Sequence, residues 1–134
     1  MEPIIKIKKP TLLKLIFGIV LIVFGIDAVI MNIRIFTQEI SITDDLLRFS
    51  KNIILIVLLF AAGIYLLFDA MKISKVDKMI LSGKTTAEDI SKSTGISYNQ
   101  TCKIMNKLVT KGVYAGVFYD TVKNEIIRQT SNVN

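Results

Sequence analysis

Two long apolar stretches, followed by a region of mixed polarity, divide the chain near residue 72. Residues 15–33 contain a single charged side chain, Asp27, and residues 52–68 contain none. A helix that crosses a hydrocarbon core about 30 Å thick needs about 20 apolar residues, because each residue rises about 1.5 Å. The pattern therefore predicts two membrane-spanning helices, over about 12–33 and 52–71, joined by a short loop over 34–51.

Two other interpretations of the apolar stretches are less consistent with the chain. Buried core helices would need a large surrounding domain, which a chain of 134 residues does not supply. Lys6, Lys8 and Lys9 precede the first stretch as basic residues do in a cleaved signal peptide, but the stretch is too long and no small-residue cleavage site follows it. A retained membrane anchor is predicted instead.

The orientation of the spans is predicted from the lysines and arginines near their ends. Seven of these flank the two stretches on the sides of the chain termini, namely Lys6, Lys8, Lys9, Lys14, Lys72, Lys75 and Lys78. The loop carries three, namely Arg34, Arg48 and Lys51. We therefore expect a basic N-terminus over 1–11 and a domain over 72–134 in the cytoplasm of a cell-membrane protein, with the loop outside.

Four residues of the apolar half are candidates for helix pairing. Gly18, Gly25 and Gly63 permit close approach of two helices, and the first two lie on one face because they are seven positions apart. Asp27 joins them because a carboxylate inside a span is costly unless it is paired. Asp27 is therefore a candidate for contact with the neighbouring helix or a partner subunit, while the favoured interpretation is a tolerated charge near the interface.

The polar half has the pattern of a small α+β domain. Apolar positions at helical spacing run from Ile73 to Ile80, and Gly83 ends that helix. Residues 68–74, between the spans and the domain, contain no proline or glycine. The second span should therefore continue, as one helix or with one bend, into the helix that ends near residue 82. Further helices are predicted over 87–94 and 98–110, and strands over 113–119 and 125–129.

The sequence Thr86-Ala87-Glu88-Asp89-Ile90-Ser91-Lys92-Ser93-Thr94-Gly95-Ile96-Ser97, followed by Cys102, Leu108, Lys111 and Gly112, resembles the winged helix-turn-helix superfamily. The resemblance covers residues 73–127, under half of the chain. It implies a mostly α membrane protein in which a two-helix transmembrane hairpin carries a small winged helix-turn-helix domain. The hairpin from Gly116 to Ile127 is also similar to winged helices that bind proteins, including PCI-type domains, and a fold does not fix its partner.

If the domain binds DNA, the helix over 98–111 should enter the major groove. The residues expected to meet DNA or a partner are Tyr98, Asn99, Gln100, Lys103, Asn106, Lys107 and, in the wing, Lys123. Residues 72–134 carry ten basic and five acidic side chains, a net charge of +5, which suits a polyanion. Arg128 is their only arginine, however, and the same charge would also suit an anionic membrane surface.

Two functions therefore remain open at the level of sequence. One is a membrane-tethered transcriptional regulator that binds DNA as a homodimer. The other is an accessory subunit or adaptor whose winged helix binds a cytoplasmic protein. An enzyme is not expected, because the chain has no histidine and one cysteine, Cys102, which is interpreted as a core residue. No cofactor, metal or small-molecule substrate is predicted.

Overall fold

The computed structural model describes residues 3–37 and 42–129. This part of the chain is mostly helical, with a two-stranded antiparallel sheet. Its elements are α1 (Leu12–Thr37), α2 (Ile42–Leu81), α3 (Ala87–Thr94), α4 (Tyr98–Thr110), β1 (Val117–Asp120) and β2 (Glu125–Arg128). They form two compact units, which we call the apolar unit (residues 13–70) and the polar unit (residues 3–12 and 71–129 of the described chain).

The apolar unit consists of α1 and most of α2. Two helical stretches, Leu12–Arg34 and Ser50–Leu81, are long and apolar enough to span a membrane, with mean hydropathies of 2.5 and 2.6. α1 continues beyond the predicted span to Thr37. The sequence pattern Thr43-Asp44-Asp45 predicts that the second helix starts near residue 43, before its span, and α2 begins at Ile42. Much of the predicted loop over 34–51 is therefore helical, while residues 38–41 lie outside the described chain.

Polar contacts join α1 and α2 near both ends of their pairing. Lys14 forms an ion pair with Asp69. Near the other end, the Asn52 side-chain amide donates to Oδ1 of Asn32 at 3.2 Å, and Asn32 donates to the carbonyl of Ala28 at 2.8 Å. Early residues of α1 thus contact late residues of α2, which makes the two helices an antiparallel pair.

The polar unit is built around one hydrophobic core. The last turns of α2 pack with α3, α4 and the sheet, and the buried apolar residues are Ile4, Ile73, Val76, Ile80, Ala87, Ile90, Ile96, Met105, Leu108, Val113, Tyr114 and Ile126. Local capping sets the helix bounds: Thr86 Oγ1 accepts from the Asp89 N–H at 3.3 Å, and Ser97 Oγ accepts from the Gln100 N–H at 3.4 Å. Gly95 ends α3 with φ of 71°, a left-handed conformation that favours glycine.

The sheet is shorter than predicted on its first strand. β1 pairs with β2 in the register Val117 with Arg128 through Asp120 with Glu125. On the other side of β2, Thr86 forms an antiparallel bridge with Glu125. The expectation that the first strand begins at residue 113 is wrong, because Tyr114 is bridged to Lys6 instead.

That bridge involves residues for which the sequence predicts a separate basic N-terminus. We call residues 4–8 the N-terminal segment. The Ile7 N–H donates to the Val113 carbonyl at 2.8 Å, and the Ala115 N–H donates to the Ile5 carbonyl at 3.0 Å. The side chain of Ile4 is buried in the core. Residues from the two ends of the sequence therefore build one unit.

Candidate functional site

α4 turns one face to the core and the opposite face to solvent. Thr101, Met105 and Leu108 are buried, and their spacing of four and three residues places them on one side of the helix. The six α4 residues that the sequence predicts as binding residues are all exposed, namely Tyr98, Asn99, Gln100, Lys103, Asn106 and Lys107. The amphipathic pattern of α4 thus brings the predicted polar residues together on one accessible face.

Four positions along this face form a line that we call the α4 stripe: Gln100, Lys103, Lys107 and Lys111. They occupy i, i+3, i+7 and i+11, which lie one above the other on a helix. Three of the four are lysines, and α4 itself contains no acidic residue. The stripe is therefore a positively charged line with hydrogen-bonding capacity at its first position.

Lysines from two other segments contact the ends of the α4 stripe. Lys72, on α2, donates to Oε1 of Gln100 at 3.4 Å. Lys8, in the N-terminal segment, donates to the main-chain carbonyl of Lys111 at 3.3 Å. The charged surface is therefore longer than α4, because segments far apart in sequence extend it at both ends.

The hairpin is tied to the start of α4 by tyrosines. The Asn124 side-chain amide donates to the Tyr98 hydroxyl at 3.0 Å, and the Tyr119 hydroxyl donates to Oδ1 of Asn124 at 3.0 Å. Tyr98 remains 45% exposed, so it combines this structural contact with the accessibility expected of a binding residue.

Burial, followed by a hydrogen bond with Cys102, raises the pKa of Tyr119. Cys102 itself is half-buried beside the core, as the sequence predicts.

The tip of the hairpin is apolar rather than basic. Val122 is 89% exposed, and Lys123 beside it is also exposed. Asp120 holds the turn by accepting from the N–H groups of Val122 and Lys123 at 2.8 and 3.1 Å. The Lys123 and Val122 N–H groups, in that order, lower the pKa of the Asp120 carboxyl. The turn therefore holds the backbone of Lys123, whose side chain is exposed.

A buried charged group in the polar unit was missed in the sequence. Asp77 is 5% exposed, forms an ion pair with Lys6 and accepts a hydrogen bond from the Tyr114 hydroxyl at 2.5 Å. Burial, and then the hydrogen bond to Asp77, raises the pKa of Tyr114. The signal was present in the spacing, because Asp77 falls on the same face of α2 as Ile73 and Ile80.

The three predicted glycines lie between α1 and α2. A Cβ on Gly63 would be 2.9 Å from Cγ1 of Ile22 and 3.0 Å from the carbonyl of Gly18, and a Cβ on Gly18 would be 2.9 Å from Cδ2 of Leu67. A Cβ on Gly25 would be 3.1 Å from Cε2 and Cζ of the Phe60 ring. The constraint is strictest at Gly63, because its nearest neighbours include the backbone carbonyl of Gly18, whereas at Gly25 they are atoms of a side-chain ring.

Asp27 does not share this contact. Its side chain is exposed on α1. Contact with a partner subunit remains a prediction. Among the described residues, no group of three or more histidine, cysteine, aspartate or glutamate side chains could hold a metal ion.

No protein-family model matches this chain, and neither a curated protein nor a solved structure is similar enough to match it.

Proposed function

We propose that the protein is a membrane-anchored winged-helix regulator that binds duplex DNA through α4. The single observation that carries the proposal is the solvent face of α4. Its asparagine and glutamine amides have the donor and acceptor pairs that read adenine, and its lysines suit guanine or phosphate. A helix with this face and no acidic residue has the chemistry of a major-groove reader.

The order of elements in the polar unit supports a winged helix. Three helices, formed by the end of α2, α3 and α4, precede a two-stranded hairpin. An isolated antiparallel bridge pairs Thr86, the residue before α3, with Glu125, the first residue of β2. In the proposed winged helix, β1 and β2 would be the wing.

Two observations support anchoring in a membrane. The side chains of the two long apolar helices are mostly exposed within the chain, which is unfavourable in water and favourable in lipid. The N-terminal segment is also hydrogen-bonded to residues 113–115, so both must occupy the same side of any membrane. An even number of spans meets that requirement, and the distribution of lysines favours the cytoplasmic side.

A second candidate function has its own observation. Val122 is 89% exposed and Phe118 is 42% exposed, so the hairpin presents apolar side chains to solvent. Such a surface suits a protein partner better than a phosphate backbone. In this alternative the chain is an adaptor or accessory subunit, and its hairpin binds a cytoplasmic protein.

The test uses the full-length chain, because a fragment starting at residue 73 lacks Ile4 and Lys6 and would leave Asp77 without its ion-pair partner. The chain is placed in nanodiscs of zwitterionic lipid, and its binding to a random-sequence duplex is measured between about 50 and about 200 mM salt. We expect binding that weakens steeply with salt. Lys103→Gln/Lys107→Gln should reduce the slope of log K against log salt by about 1.8, which corresponds to two phosphates.

Absence of binding at about 50 mM salt would refute the DNA-binding proposal. The same nanodiscs report the oligomeric state, and a particle with one chain would contradict the predicted homodimer. If the protein instead retains a cytoplasmic partner that Val122→Ser/Phe118→Ser releases, the adaptor function is favoured.

A further inference from the structure

We propose that Lys8 and Lys72 are phosphate-binding residues that extend the DNA-binding surface beyond both ends of α4. This inference rests on the proposed DNA-binding function. Neither residue belongs to the helix or the wing from which DNA contacts were predicted. Lys8 lies in the N-terminal segment, and Lys72 lies on α2.

Direct contacts place both lysines at the α4 stripe. Lys72 Nζ is 3.4 Å from Oε1 of Gln100, at the first position of the stripe. Lys8 Nζ is 3.3 Å from the carbonyl of Lys111, at the last position. The result is one line of charge in the order Lys72, Lys103, Lys107, Lys111 and Lys8.

The length of this line fits the width of a DNA groove. Gln100 and Lys111 are eleven positions apart, which at about 1.5 Å per residue is about 17 Å along the helix. The major groove is about 12 Å wide. A helix that is inserted into the groove at an angle to its direction therefore brings its two ends near the phosphate backbones at the borders, and these ends are where Lys72 and Lys8 are held.

Lys8 is distinguished from its neighbour Lys6 by its partners. Lys6 is committed to an ion pair with the buried Asp77, which compensates its charge. Lys8 is exposed, and its contact is to a neutral carbonyl, so its full charge is available to a phosphate. The pairing of residues 5–7 with 113–115 fixes the position of Lys8 at the end of α4. The N-terminal segment thereby contributes to binding as well as to the core.

The experiment measures the salt dependence of duplex binding for Lys8→Gln and Lys72→Gln in full-length protein in zwitterionic nanodiscs. Glutamine removes the charge and keeps an N–H donor on a side chain that is one atom shorter. Each variant should reduce the slope by about 0.9 and weaken binding about fivefold to tenfold at about 0.1 M salt. Lys8→Arg should retain the wild-type slope. The matched control, Lys51→Gln, removes the same charge from the apolar unit and should not change the slope.

The possible outcomes separate this inference from the proposed function. If wild-type protein binds and Lys103→Gln/Lys107→Gln reduces the slope while Lys8→Gln and Lys72→Gln do not, this inference is wrong and DNA binding stands. If wild-type protein does not bind, both are wrong. If Lys8→Gln lowers the melting temperature of the polar unit but leaves the slope unchanged, Lys8 is only a cap for the negative end of α4.

Discussion

At the scale of single residues, the Asp77 carboxylate needs compensation for its charge, because it is buried in the polar unit. A buried charge is tolerated only when it is paired and hydrogen-bonded. Lys6 and Tyr114 meet both conditions from different segments, and so they fasten the N-terminal segment and the residues before β1 to α2. Spacing alone could place Asp77 on the apolar face of α2, but no local pattern could identify a partner 71 positions away.

Lys6→Met should destabilise the polar unit by about 1–3 kcal/mol, because it leaves the buried carboxylate with one hydrogen bond fewer and no counter-charge. Amide exchange at Ile7 and Ala115 should accelerate, since their N–H groups hold the N-terminal segment in place. Lys9→Met, at a nearby exposed lysine, serves as the control and should leave exchange unchanged. If Lys6→Met and Lys9→Met changed the stability and amide exchange equally, the ion pair between Lys6 and Asp77 would not be what holds the N-terminal segment in place.

Tyr114 should make the polar unit sensitive to alkaline pH. Its pKa is raised in the folded protein by burial and by the hydrogen bond to Asp77, so the folded state holds the phenol proton more tightly than the unfolded state. That stabilisation is complete below the ordinary tyrosine pKa of about 10 and is lost as pH rises above it. The melting temperature should fall more steeply above about pH 10 in wild-type protein than in Tyr114→Phe. The two proteins share every other titrating group. Parallel curves of melting temperature against pH would therefore show that Tyr114 does not contribute to the loss of stability at alkaline pH.

At the scale of elements, local signals account for the agreement between sequence and structure. Thr86 and Ser97 cap α3 and α4, and Gly95 ends α3 through its left-handed conformation, so these bounds follow from residues within a few positions. The start of β1 was misjudged because residues 113–115 have strand-like side chains but pair with the N-terminal segment. Strand pairing across the length of a chain leaves no short-range signal.

The α1–α2 pair offers a sharp test of helix packing. Gly63→Val should separate the helices, because its Cβ alone would meet Ile22 and the Gly18 carbonyl at 2.9 and 3.0 Å. We expect a loss of about 1–3 kcal/mol, the usual range for overpacking. Faster amide exchange along α1 in detergent micelles would report it. Ala62→Val adds a similar bulk at the exposed neighbouring position and should have no comparable effect. If Gly63→Val changed neither the stability of the pair nor the amide exchange of α1, the close approach of α1 and α2 at Gly63 would be contradicted.

At the scale of the whole molecule, the two units differ in how far the sequence predicts them. Length and hydropathy were sufficient for two apolar helices, because the requirement of a bilayer is a simple one. The inclusion of residues 3–12 in the polar unit was not foreseen, since their lysines already had an explanation as a basic flank of the first span. Lys6 and Lys8 contact Asp77 and the Lys111 carbonyl within the polar unit, which their place before the first apolar stretch does not indicate.

The proposed topology predicts the labelling of single cysteines in a Cys102→Ser background by a membrane-impermeant maleimide. Lys51→Cys should react in intact cells, because it precedes the second span on the outer side. Lys9→Cys and Lys123→Cys should react only after permeabilisation. Labelling of either of these two from outside would contradict the cytoplasmic assignment. Opposite behaviour of Lys9→Cys and Lys123→Cys would contradict the two-span hairpin.

The pairing between the N-terminal segment and residues 111–115 also imposes an order on biosynthesis. Lys8 and Lys111 are separated by 103 positions, which at about 5–20 residues per second is about 5–20 s of translation. Throughout that interval the N-terminal segment has no partner, and in the proposed topology both apolar helices must insert before it gains one. A chain in which one helix failed to cross would hold its two ends in different compartments and leave Asp77 without Lys6. Completion of the polar unit would therefore act as a built-in check on membrane insertion, and misinserted chains would expose an unfinished core to proteolysis.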